Sequence, residues 1–293
     1  MTALTASVII PSLNSPIIDR VVDAVLSQTQ LPLEIIVVGR DESGELSAVQ
    51  ADPRLRFIDT ERPISPAKAR NLGARIARGD VLCFIDADAV ADPDWLKYLL
   101  NRHATGATVV GGGVTLPAGG YWFQCDNSAS FADFMYSALP GVRTHLPSLN
   151  FSLRRTLFLE MGGFDERFPS AASEDTDLCF RLRKANHTLN FEPQALVTHY
   201  AARHTFPQMW AHLRQYGREY ITLQRLHQDL IGPSVRVQLA QRSAILGVLA
   251  APGWAMLETL QWLRRGRIKP YLFAGVFLAR TAYYFGLTID DCK

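Results

Sequence analysis

Four short strand-like runs, each ending in turn or polar residues, constrain the first 90 residues of this chain more than any other feature. SVIIPSLN (7–14) and LEIIVVG (33–39) are β-branched and apolar on both faces, as strands buried in a parallel sheet must be. LRFIDT (55–60) reads as a third strand and VLCFIDADAV (81–90) as a fourth. Between them lie two amphipathic helical segments. SPIIDRVVDAVLSQ (15–28) has Ser15 to cap it and Pro16 in its first turn, and SPAKARNLGARIARG (65–79) has Ser65, Pro66 and a stop at Gly79. Strands alternating with helices predict an α/β fold, a mostly parallel sheet flanked by helices, whose ligands sit beyond the carboxyl ends of the strands.

The pattern continues with a helix in DPDWLKYLLNRH (92–103), a Gly-rich strand in ATVVGGGVTL (107–116), an aromatic-rich and irregular stretch from 117 to 147, a helix opening at SEDTD (173–177), and a final strand region in TLNFEPQALVTHY (188–200). From Ala201 onward the signal is helical, so we expect an α/β domain over 1–200 and a helical C-terminal extension over 201–293. Of the 293 residues, 48% are hydrophobic and 20% charged, enough to bury a sizeable core. A formal net charge of +2 gives no reason to expect a nucleic-acid partner. Cys83, Cys125, Cys179 and Cys292 form no CxxC pair and read as buried or incidental thiols of a reducing compartment. The first residues carry no basic segment followed by a long apolar one, so the expected location is the cytoplasm.

The fourth strand runs straight into Asp86 and Asp88, separated only by Ala87. A carboxylate at the end of an apolar strand is costly without a counter-charge. Helix capping accounts for Asp92, before Pro93, but not for Asp86. Two carboxylates one residue apart at a strand end can share a hard divalent cation and whatever that cation binds. A second acidic cluster, Glu174, Asp175 and Asp177, opens a later helix. The helix dipole favours acid there but does not require three of them.

Taken in order, SVIIPSLN, LEIIVV, ARNLGARIARGDVLCFIDADAVADPDWL, NFSLRR with MGGFDE, and SEDTDLCFRLRKANH resemble family 2 glycosyltransferases of the GT-A (Rossmann-like) fold, over roughly the first 200 residues. The resemblance implies a nucleotide-sugar donor held by the Asp86–Ala87–Asp88 motif through Mn2+ or Mg2+. Asp86 would lie near the ribose and Asp88 would ligate the metal directly, with Asp86 and His199 completing the shell and His204 the competitor of His199. It implies Asp175 as the base that activates the acceptor hydroxyl, with Glu174 orienting the acceptor and next in line as base. Pro11, Leu13 and Asn14 would line base and ribose. Arg70 and Asn71 would approach the base or diphosphate, and Asn150 the donor sugar, although Arg70 could equally sit on a solvated helix face. The Gly111, Gly112 and Gly113 cluster either lets backbone approach the sugar or is a plain turn.

Two departures from the family pattern matter. Where the family carries DDGS, this chain has GRDES (39–43), so base recognition would shift to Arg40 or Asp41. The QxxRW motif of processive synthases is absent, which favours transfer of one sugar to a sugar or lipid-linked acceptor in cell-envelope or related glycan synthesis. The alternatives are a phosphatase resembling the haloacid dehalogenases, with Asp86 as nucleophile, and a non-catalytic GT-A-like binding module. In the C-terminal third, two apolar segments broken by Pro252, Gly253, Glu258 and Arg280 flank the basic RRGRIK (264–269). Over 240–287 this suits a helix pair on the inner face of the cell membrane, or a packed hairpin, or a homodimer contact.

Overall fold

A computed structural model describes residues 3–49, 51–170, 172–232 and 234–289; Cys292 lies outside them. The strands are β1 (Ala6–Leu13), β2 (Glu34–Arg40), β3 (Leu55–Asp59), β4 (Val81–Ile85), β5 (Ala89–Ala91), β6 (Val109–Thr115), β7 (Gly141–Val142), β8 (Asn150–Arg154) and β9 (Leu189–His199). The helices are α1 (Ile18–Leu26), α2 (Pro66–Ile76), α3 (Trp95–Ala104), α4 (Tyr121–Phe131), α5 (Arg155–Glu160), α6 (Glu174–Lys184), α7 (Phe206–Leu226), α8 (Gln228–Ile231), α9 (Val235–Arg242), α10 (Ala244–Arg264) and α11 (Phe273–Gly286). They form two compact units. The first draws on Met1–Thr115 and Phe134–Tyr200, the second on Leu116–Asp133 and Ala201–Lys293.

The first unit is an α/β sheet in the order β3-β2-β1-β4-β8-β6-β9-β5, with β7 against β9. β3, β2, β1 and β4 run parallel, so the ends of β1, β2 and β4 deliver Leu13, Arg40 and Asp86 to one edge. Val8, Ile9, Ile10 and the whole of β4 are fully buried, as their unbroken apolar runs require. Beyond β4 the sheet is mixed. β8 enters antiparallel to both β4 and β6, and its register pairs Ile85 with Asn150. β5 is antiparallel to β9, with Ala89 opposite His199. Gly111–Gly113 lie inside β6, where the pairing to β9 shifts register between Gly112 and Gly113. A Cβ on Gly112 would sit 2.1 Å from the Ala195 carbonyl oxygen, so these glycines admit the neighbouring strand rather than forming a turn.

The second unit is helical. The aromatic stretch read as irregular contains α4, which lacks an amphipathic period because it packs on several sides: Cys125 and Ala129 join Met209, Leu213, Val276 and Ala279 in one core. The apolar segment expected to break at Pro252 is the continuous α10. Gly247, Ala251, Ala255 and Thr259, four residues apart, form its buried stripe, and that packing outweighs the ~3 kcal/mol an interior proline costs. Arg280, in the middle of the second apolar segment, is buried against Glu258, with Nε 2.7 Å from Oε2, and Tyr284 donates to the same oxygen at 2.9 Å. Cys83, Cys125 and Cys179 are buried free thiols. Among the described residues α10 is the helix long and apolar enough to cross a membrane.

Candidate functional site

Asp86, Ala87 and Asp88 form the turn between β4 and β5. Three hydrogen bonds to its carbonyls fix it: Ala89 N–H donates to the Asp86 carbonyl at 3.0 Å, Tyr200 N–H to the Asp88 carbonyl at 2.7 Å, and the Ser15 hydroxyl to the Ala87 carbonyl at 2.6 Å. Ser15, read as a helix cap, thus ties the end of β1 to the acidic turn, while α1 starts three residues later. The β5–β9 pairing brings His199 alongside, its Nε2 3.5 Å from Asp88 Oδ2. His204 lies outside this sheet, in the second unit, with its ring stacked on Phe123.

Arg70 occupies the centre of the site. It projects from α2, whose start is fixed by Ser65 accepting from the Lys68 amide. Its side chain is 2% exposed, which rules out a solvated helix face. One guanidinium nitrogen donates to Asp86 Oδ1 at 2.6 Å and the other to Glu174 Oε1 at 2.7 Å, with the Phe164 ring beneath. One cation therefore joins the turn after β4 to the first residue of α6, which lies 104 positions beyond Arg70 along the chain. Asp86 feels opposing pulls. Burial, reinforced by Asp88, raises its pKa, while Arg70 lowers it, and the balance lies above the ordinary value. Burial and the neighbouring Asp175 charge push the Glu174 carboxyl up to about 8, against the pull of Arg70. Glu174 Oε2 and Arg70 Nε are buried with no hydrogen-bond partner.

Asp175 follows Glu174 and is half-buried. Ser148 N–H donates to its Oδ2 at 2.9 Å and Thr176 N–H to its Oδ1 at 2.7 Å. These bonds hold the carboxylate in one orientation and leave it lone pairs for a further proton donor. No local pattern marks Ser148 or Phe164. Their roles come from partners far away in the sequence.

The other expected ligand contacts divide. Pro11 is half-buried and Leu13 exposed at the end of β1. Asn14 adopts φ 55°, donates its N–H to the Arg40 carbonyl at 3.0 Å and accepts from the Glu42 amide at 2.9 Å, so it shapes the β1–β2 edge. Arg40 pairs with Glu42 at 3.0 Å and with Asp59 at 3.5 Å. Asp41 caps the short 3-10 turn Glu45–Ala48 with both carboxylate oxygens. Gly39 has φ +143°, and a Cβ there would lie 1.7 Å from the Ser12 carbonyl oxygen, so an aspartate cannot stand at this position. Beside it the buried Ser12 hydroxyl has no partner.

Asn71 and Asn150 are committed elsewhere. Asn71 donates to the Phe164 carbonyl at 2.8 Å and to Glu166 at 3.0 Å, and accepts from Phe164 N–H at 2.9 Å, which clamps the Gly162–Gly163 turn rather than a diphosphate. Asn150, expected at the donor sugar, is fully buried. Its amide donates to the Gly113 and Ala195 carbonyls at 2.9 and 2.8 Å and accepts from Trp95 Nε1 at 2.8 Å. Both amide hydrogens are spent on locking β6, β8 and β9 together.

The donor chemistry suits a divalent cation. Asp88 Oδ2 and His199 Nε2 are adjacent, a carboxylate oxygen beside an imidazole nitrogen. Asp86, expected as a further ligand, is instead drawn onto Arg70 by charge. Among the described residues no group of three His, Cys, Asp or Glu side chains is arranged to hold a metal. Asp88 and His199 are the side chains that would hold a cation here.

Residues 7–161 match the family described as Glycosyl transferase family 2. A glucosyl-dolichyl phosphate glucuronosyltransferase of Haloferax volcanii is 29% identical over 223 residues, 68% of this chain and 69% of that protein. A pre-mycofactocin glycosyltransferase of Mycobacterium tuberculosis is 32% identical over 184 residues, 58% of this chain but only 37% of its own length. A mannosyltransferase from Pyrobaculum calidifontis, solved with GDP-Man and Mn2+, superposes over 97% of this chain and 86% of its own, with a TM-score of 0.64 at 18% identity. The phosphatase alternative fails on both counts, since Asp86 is bound to Arg70 rather than poised as a nucleophile and the match covers the motif itself. Nor does a mere binding module fit relatives that are named as transferases. The chain belongs to glycosyl transferase family 2 and is a glycosyltransferase of the GT-A fold.

Proposed function

We propose that this enzyme transfers one sugar from a nucleotide-sugar donor to an acceptor hydroxyl, with inversion at the anomeric carbon, using Mn2+ or Mg2+. The observation that carries the proposal is the Asp86–Arg70–Glu174 bridge. It supports a single centre in which donor-holding and acceptor-activating groups act together. Asp88 and His199 would hold the cation, which when bound neutralises charge on the departing nucleoside diphosphate. Arg70 orients the Asp86 carboxyl and opposes the rise in its pKa that burial causes. Asp175, steadied by Ser148 and Thr176, accepts the acceptor's hydroxyl proton as that oxygen attacks the anomeric carbon. Glu174, held protonated near neutral pH, orients Arg70 and the start of α6 without adding a second negative charge. One carboxylate base and no carboxylate nucleophile favour direct displacement, hence inversion.

The names of the relatives support a role in glycoconjugate synthesis, and that of the Haloferax volcanii protein supports a lipid-linked sugar as acceptor. Pro11, Leu13, the unpartnered Ser12 hydroxyl and Arg40 are the groups best placed to meet base and ribose. A panel of nucleotide sugars, scored by release of nucleoside diphosphate with Mn2+, with Mg2+ and with chelator, tests the reading. One donor turned over only with metal, giving product of inverted configuration, is the expected result. Turnover that ignores the chelator, or retained configuration, would refute it.

A further inference from the structure

α10 is amphipathic in the wrong direction for a helix facing water. Its inward stripe carries its one acid, Glu258, paired with Arg280. Its outward side is apolar from Ile245 to Leu257: Ile245 is 74% and Leu249 72% exposed, and Leu246, Val248, Met256 and Leu257 are exposed as well. At 1.5 Å per residue this surface extends for about 18 Å, and the exposed Gln261 and Arg264 follow it. The helix begins just after the exposed Arg242 and ends in the exposed Arg264 and Arg265, with Lys269 exposed in the turn beyond. A run of exposed large apolar side chains on one helix face marks a docking face.

Charge identifies the occupant. Residues 235–269 contain six Lys and Arg, namely Arg236, Arg242, Arg264, Arg265, Arg267 and Lys269, and one acid, Glu258, which points inward. Arg267 is paired with Asp133 at 3.0 Å, which leaves Arg242, Arg264, Arg265 and Lys269 as the exposed cations, and a second copy packed face to face would set these against one another. An anionic phospholipid surface offers both what the apolar side chains need and what the cations need. We propose that α10 docks this protein on an anionic bilayer, lying in the plane of the interface with Ile245, Leu249 and Leu257 among the acyl chains and the arginines at the headgroups. It does not span, because its inward stripe is held by the buried Arg280–Glu258 pair and by the core with α9 and α11.

The proposal stands apart from the sugar-transfer reading and its test involves no sugar. The full chain is sedimented with phosphatidylcholine vesicles and with vesicles that also contain phosphatidylglycerol, at low and high salt, beside sedimentation equilibrium without lipid. We expect binding to the anionic vesicles that weakens with salt. Leu249→Glu with Leu257→Glu should reduce it about tenfold or more while leaving the melting temperature unchanged, since both side chains are exposed. Arg264→Glu with Arg265→Glu should remove the preference for anionic lipid. No binding, equal binding by the leucine variant, or a dimer that the leucine variant dissociates without any vesicle binding would overturn the proposal.

Discussion

Replacing Arg70 with methionine removes the cation that Asp86 and Glu174 share while keeping an unbranched, buried side chain in place. The wild-type bonds are 2.6 and 2.7 Å long and the guanidinium is 2% exposed, so water cannot substitute for it. Removing one member of a buried pair costs about 3–5 kcal/mol. At pH 7 the loss should lie near the lower figure, for two reasons. Glu174, with its pKa pushed up to about 8, is already mostly protonated, and Asp86 is 31% exposed and can rehydrate. For a unit of this size ~3 kcal/mol lowers the melting temperature by about 6–12 °C. The pH dependence follows from the same carboxyl. A folded-state pKa raised from the ordinary 4.5 to about 8 means the native state holds this proton more tightly than the unfolded chain. Its contribution is therefore complete below the ordinary value and is lost as pH rises to about 8. Arg70→Met should extend that decline to higher pH, and Glu174→Gln should flatten it. Thermal unfolding by circular dichroism between pH 5 and pH 9 reads all three proteins. If Arg70→Met melts within about 2 °C of wild type across the range, the bridge is not what holds the two motifs together.

Three further substitutions separate the roles of neighbouring residues. Asp175→Asn should lower kcat by about 10²–10⁴-fold with the donor KM unchanged, and a loss below tenfold in steady-state assays would remove Asp175 as the base. Asp88→Ala and His199→Ala should each abolish the Mn2+-dependent part of nucleoside diphosphate binding in calorimetry, whereas unaltered binding would place the metal elsewhere. Asn150→Ala strands the Gly113 and Ala195 carbonyls and the Trp95 N–H at about 1–3 kcal/mol each, so it should lower the melting temperature yet spare the donor KM. A raised KM with normal stability would return Asn150 to the sugar site.

The parallel half of the sheet was legible because its information is local. A β-branched run with no polar interruption has few uses other than a buried strand, and Val8 to Ile10 and Val81 to Ile85 are fully buried. The acidic turn after β4 and the acidic start of α6 were legible for the same reason: carboxylates placed where burial penalises them signal a partner. Which partner was not. Nothing near Arg70 in the sequence says that it spans the gap between Asp86 and Glu174, because the latter lies 104 residues on. α4 was missed because a helix packed on several sides shows no amphipathic period, and α10 was expected to break because Pro252 is a local signal that tertiary packing overrides.

Hydrogen-bond capacity explains the division among the site residues themselves. A polar side chain at a strand end can serve a ligand only with the atoms that its own fold leaves uncommitted. Asn71, Asn150 and Asp41 carry the right chemistry for a nucleotide sugar, yet the amide hydrogens of the two asparagines are spent on distant segments and the carboxylate oxygens of Asp41 on the adjacent turn. The Ser12 hydroxyl and Glu174 Oε2 are buried with that capacity unused. Leaving such a group unmade costs about 1–3 kcal/mol, an expense a fold retains where a ligand or a moving proton will later redeem it. On that criterion Ser12, which no motif brought forward, is a better candidate for donor contact than Asn150, which one did. Ser12→Ala should then weaken nucleoside diphosphate binding without lowering the melting temperature, and a variant that binds as wild type does would show the unpaired hydroxyl to be idle.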